Sequence, residues 1–177
     1  MAVAGGFKLA APEGVSPAQF LNDLLAAKNL NEAVQFFSFA LPPREAVWWA
    51  CLCCREQLAD PIPQPLQDAV DAAETWVRQP TEEHRRAAMA RAQATDFQSP
   101  AAWAAVAAFW SGGSLAPENL PEVPAPAHLM GCAVAGAVML AAVKSEPQLA
   151  DQRRERFLAS AIDIANGGNG RLKAPGG

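Results

Sequence analysis

Residues 129–143 read LMGCAVAGAVMLAAV, fifteen positions without a charged side chain. Wound as a helix, this stretch is apolar on every side. It has no face to offer water, so it belongs at the centre of a packed domain or inside a membrane. A spanning helix needs about 20 apolar residues, and lengthening this run backwards brings in Pro126 and the imidazole of His128. Its many Ala and Gly residues also drive insertion weakly. The reading is a buried core helix with no membrane insertion. Two other stretches share the pattern, AVWWACLCC at 46–54 and AAWAAVAAFW at 101–110. Three all-apolar helices in one chain need amphipathic neighbours around them.

Composition supplies those neighbours and removes strands. Of 177 residues, 51% are hydrophobic, 18% are charged and Tyr is absent. Alanine, the best helix former, supplies the largest part of the hydrophobic share, while Ile and Thr, which favour strands, are scarce. The expected fold is all-α: a single-domain bundle of about eight helices, three of them central and all-apolar. It spans residues 16–166, between a flexible N-terminal segment at 1–15 and a Gly-rich, disordered tail at 167–177.

Proline and glycine punctuation places the elements. Ser16–Pro17 and Ser99–Pro100 each pair an N-cap with proline at the first helical position. They open helices over 17–28 and 100–110, the second closed by Gly112–Gly113. Asn31 is expected to cap a short helix that Pro42 stops, and Pro43 opens the next, through residue 58. After the stiff DPIPQP connection, amphipathic helices follow over 66–79 and from Pro80–Thr81 to residue 94. The Pro-rich stretch 114–126 (SLAPENLPEVPAP) is the longest loop. The apolar helix at 127–144 and an amphipathic one at 146–165 complete the set.

The net charge of −4 offers no basic excess to displace counterions, which argues against nucleic acid as a partner. Arg85, Arg86 and Arg91, and likewise Arg153, Arg154 and Arg156, lie among acidic residues and read as solvated helix faces of mixed charge. The N-terminus lacks a secretory signal, which points to the cytoplasm.

No reaction centre emerges from the motifs. Cys51 and Cys54 share one helix face, and His128 and Cys132 share another. Packing those faces together would gather the elements of a zinc site. Structural zinc sits on turns and knuckles rather than in mid-helix, however, and free cysteine is among the most buried residues. These read as core cysteines. His84, His128 and the pairs Asp68–Asp71 and Glu82–Glu83 sit at helix starts or on exposed faces, where capping and dipole compensation account for them. No catalytic, cofactor-binding or metal-binding residue is assigned, and the chain is read as a non-enzyme without a cofactor.

Tryptophan is the remaining signal. Trp103 and Trp110, seven apart, share a face and read as core. Trp48 and Trp49 are neighbours and point about 100° apart on a helix, so only one can take the deepest position. These two are the candidate partner-binding residues, since an indole left in a shallow groove suits an interface.

LPPREAVWWACLCCR, RAQATDFQSPAAWAAVAAFWSGG and PAHLMGCAVAGAV together resemble a family of small, uncharacterised, all-helical bacterial proteins over roughly 41–138. The resemblance implies association with gene clusters for type VI secretion effectors. It also implies a role as adaptor or co-chaperone in effector loading, with a secretion chaperone or effector as protein partner and no catalytic residues. Two other readings compete: a small-molecule or acyl-chain carrier with its ligand between the apolar helices, and a metal-dependent enzyme using Cys51, Cys54, His128 and Cys132.

Overall fold

The computed structural model describes residues 12–58 and 61–171 and shows one all-α bundle. Among the described residues the eight α-helices are α1 Pro17–Ala26, α2 Leu30–Ala40, α3 Pro43–Arg55, α4 Gln64–Arg78, α5 Glu82–Gln93, α6 Pro100–Trp110, α7 Leu129–Val143 and α8 Ala150–Ala165. The three all-apolar stretches are α3, α6 and α7, and each packs against the other two. α4 and α5 cover α6, α2 and α8 cover α7, and α1 packs on α2 at the edge.

Close approach of α6 and α7 follows from their composition. Every alanine of α6 and all its apolar positions except Trp103 and Trp110 lose water completely or nearly so. Trp103 reaches across towards Gly136, where even an added Cβ would lie 4.0 Å from the ring, in ordinary contact. Burying apolar area in this way is the main stabilising term of the fold.

The expected caps form at Ser16, which accepts from the Gln19 N–H at 3.2 Å, and at Ser99, which accepts from Ala102 at 3.1 Å. Thr81 does the same for His84. The cap expected at Asn31 lies two residues earlier, at Asn29. Lys28 there takes φ +57°, which turns the chain so that Leu30 enters the helix as a buried residue. α4 begins at Gln64 rather than residue 66, because Pro65 is tolerated in a first turn. A short 3-10 turn at Pro147–Leu149 precedes α8, which therefore starts at Ala150.

Two readings of charged and aromatic residues need correction. Arg85 is not solvated: it is 4% exposed and sits at the centre of a joint. Its guanidinium forms two hydrogen bonds with Glu82 and donates to the carbonyls of Phe109 and Ser114. It also lies 4.4 Å from the Phe109 ring centre. One side chain thus closes the C-terminal end of α6 and fastens the strap that follows. Gly113, at φ +64°, is the residue that fits there, since a Cβ would meet Arg85 Nε at 2.9 Å. Trp103 and Trp110 meet edge to face at 6.1 Å, but they are half-buried at the rim rather than in the core. Trp103 donates its indole N–H to Phe97 O, holding a turn in which Asp96 and Phe97 both take positive φ.

The Pro-rich strap closes on itself. Leu115 N donates to Val123 O at 2.7 Å, Ala125 N donates to Gly113 O, and Ser114 Oγ accepts from both Ala116 and Val123. Arg86 donates to Ala116 O from the body.

The chain beyond α8 departs from the expected disorder at 167–177. Gly167, at φ +86°, turns the backbone, and residues 167–171 fold back over α8, with Gly170 buried. Residues 172–177 lie outside the described residues, as do 1–11 of the segment expected to be flexible.

Among the described residues no single helix is long and apolar enough to cross a membrane.

Candidate functional site

The double proline at 42–43 sets the start of α3, and the helical turn then separates Trp48 from Trp49. Trp49 takes the inner position. It is 0% exposed, meets Phe37 edge to face at 6.1 Å, and donates its indole N–H to Phe157 O at 2.8 Å. It is thereby removed as a partner contact in this conformation. Trp48 remains half-buried on the opposite flank.

Trp48 forms one wall of an open groove of about 590 Å³, with Pro42, Pro43, Trp76, Val77 and Ile164. The floor is mostly carbon. Arg44 bounds it by donating twice to Val77 O, the last turn of α4, at 2.7 and 2.9 Å. The other edge is the returning chain: Trp48 donates to Asn169 O at 2.8 Å, and the Arg171 guanidinium lies 5.3 Å from the indole. The sequence signal for this groove was the Trp48–Trp49 pair alone. That the returning chain would line it was not visible, because part of its seat, Trp48 on α3, lies more than a hundred residues away in the chain.

The cysteines do not assemble a metal site. Among the described residues no three His, Cys, Asp or Glu side chains come together to hold an ion, so Cys51, Cys54, His128 and Cys132 remain apart as a set. Cys51, Cys53 and Cys54 are buried and Cys132 is half-buried. Burial pushes all four thiols up, Cys54 to about 12. Since the thiolate is the nucleophile, the three α3 cysteines are inert in the folded chain. At pH 8 a thiol-specific reagent such as DTNB is expected to label Cys132 alone in the native protein and all four cysteines in denaturant. Rapid native labelling of any α3 cysteine would contradict the packing described.

His84 is held by its ring Nδ1 at 2.8 Å from Gln79 O, and it shares a shallow groove of about 290 Å³ with Asp68, Asp71, Thr75 and Arg91. Sequence reading did not bring these residues together. Their carboxylates are already committed. Asp68 accepts from Gln64 and Arg91, and Asp71 accepts from Arg55 and Gln67. Burial pushes Asp71 up, but the hydrogen bonds from Gln67 and Arg55 outweigh it and hold the carboxyl below its usual value. An ionised, donor-saturated carboxylate has no proton to give at neutral pH and little basicity to take one.

A family model described as "Family of unknown function (DUF6931)" matches residues 20–165. Comparison with curated proteins gives no match, and neither does comparison with solved structures.

Proposed function

The chain belongs to the DUF6931 family, and from that premise we propose that it is a non-enzymatic adaptor or co-chaperone whose Trp48 groove receives a protein partner. The observation that carries the reading is a half-buried indole beside an open, mostly apolar groove, while its sequence neighbour fills the core. Interfaces draw much of their energy from aromatic side chains set in such hollows. The paired carboxylates and inert thiols described above leave little for a reaction centre to be built from, which supports a binding role.

The resemblance to proteins associated with type VI secretion supplies the partner class: a secretion chaperone or an effector awaiting loading, in the cytoplasm. The acyl-carrier alternative requires an enclosed chamber, and it draws no support from grooves that open to solvent. The metal-enzyme alternative draws none from a donor set that stays apart.

Affinity capture with the purified chain as bait tests the adaptor reading. A secretion chaperone or effector is expected in stoichiometric yield. Trp48→Ala, folded by circular dichroism, is expected to weaken its binding by about 2 kcal/mol, roughly thirtyfold. Capture indifferent to Trp48→Ala, or no stoichiometric partner of that class, overturns the proposal.

A further inference from the structure

We infer that the Trp48 groove ends in a clamp for a glycine–cation peptide turned at its glycine, occupied in the free protein by the chain's own Asn169–Arg171. The inference rests on the groove being a contact surface, and it names the chemistry of what docks there.

Three side chains from two helices grip the backbone of this segment rather than its side chains. Trp48 Nε1 on α3 donates to Asn169 O at 2.8 Å. From α8, Ser160 Oγ donates to Gly170 O at 2.7 Å, and the Asp163 carboxylate accepts the Gly170 N–H at 2.8 Å. Such contacts read a peptide through backbone groups that any residue carries. Selectivity comes from the positions on either side. Gly170 has φ +73°, and a Cβ there would come within 2.7 Å of Ile164 and 2.8 Å of Leu52, so only glycine fits. The next residue lays a guanidinium over the Trp48 ring, a cation–π seat. The net charge of −4 favours a cationic ligand as well.

The resident segment is lightly held. Gly167, Gly168, Asn169 and Arg171 stay exposed, and only Gly170 is buried. Segments with few buried contacts open locally without unfolding the body. The groove also continues past the clamp, between Pro42–Pro43 and Trp76–Val77, leaving room for more peptide than the resident tail supplies in the described residues. A partner carrying glycine followed by Arg or Lys, with the glycine free to take positive φ, would displace the tail and continue into that hollow. The tail then acts as an internal competitor that sets a threshold for the partner.

The test uses the full chain and a fluorescein-labelled peptide, GGNGRLKAPGG, copied from residues 167–177. Gly170→Val in the protein evicts the resident segment and leaves Trp48, Ser160 and Asp163 in place. By fluorescence anisotropy the variant is expected to bind the peptide at least tenfold more tightly than the wild type. Adding Trp48→Ala, or placing Arg171→Glu in the peptide, should remove that gain. Absence of saturable binding to the variant, or binding indifferent to Trp48, overturns the clamp.

Should Gly170→Val fail to fold, hydrogen exchange of the wild type decides. The Gly170 amide and the Trp48 indole N–H are expected to exchange at least a hundredfold faster than the Cys53 amide. Equal protection at these sites overturns the proposal. Loss of the peptide gain while Trp48→Ala still abolishes partner capture would sink the clamp and leave the adaptor reading standing. The reverse pattern would sink the adaptor reading alone.

Discussion

Trp49→Ala lowers the free energy of unfolding by about 4 kcal/mol, within the range found when large aromatic side chains are truncated in cores. The indole is fully buried between α2 and α8, against Phe37 and the Phe157 carbonyl. Removal therefore forfeits its transfer free energy, leaves a cavity between packed helices, and strips a donor from a buried oxygen. A domain of this size has only about 5–15 kcal/mol to lose, so this variant should sit close to unfolding at physiological temperature. Urea titration followed by far-ultraviolet circular dichroism measures the shift. Trp48→Ala, one position away, is the internal control and should cost less than about 1.5 kcal/mol, since its ring is only half-buried. Reversed losses at the two positions would mean that the inner and outer tryptophans have been exchanged, and equal losses would contradict the assignment.

Arg85→Ala is expected to cost about 2–4 kcal/mol, the scale of taking a charged donor from two enclosed carbonyls. The loss leaves the Phe109 and Ser114 carbonyls without their guanidinium donor and opens a gap beneath Gly113. Arg85→Met separates the two components by restoring bulk without donors, and it should recover part of the loss. The same urea titrations read both variants, and a cost below about 1 kcal/mol for Arg85→Ala would contradict a buried joint.

Acidification probes the same joint from the other side. The hydrogen bond from Arg85 holds the Glu82 carboxyl below its usual value, with partial burial opposing it. A depressed carboxylate contributes stability above its unfolded value, near 4.3. That contribution is lost as pH falls through the lower folded value. Glu82→Gln should accordingly flatten the acid limb of the stability profile.

How far these features could be read from sequence differs by kind. The three central helices were legible because an all-apolar wheel has one solution in water, and the caps at Ser16 and Ser99 because proline beside serine marks a helix start chemically. Arg85 was not legible. A guanidinium is usually solvated, and its burial depends on carbonyls from the end of α6 and the strap, which only tertiary structure brings beneath it. The groove was half legible: adjacent tryptophans had to diverge, but which of them faced inward depended on Phe37 and Phe157. Glycine-rich composition points to disorder at 169–171, whereas three side-chain contacts from α3 and α8 hold the segment in place.

The closed base of the proline-rich strap has a consequence for how this protein tolerates insertion. Residues 113–116 and 123–125 are knitted to each other and to α5, so the chain enters and leaves the tip at fixed, neighbouring points. Extra residues placed between 117 and 122 lengthen a loop whose ends are already held together, and doubling such a loop costs only about 0.6 kcal/mol in closure entropy. The same addition one step outside the base would pull on the Arg85 joint. Epitope tags, reporter modules and natural length variation therefore have a permissive address on this surface, set by where the knitting stops.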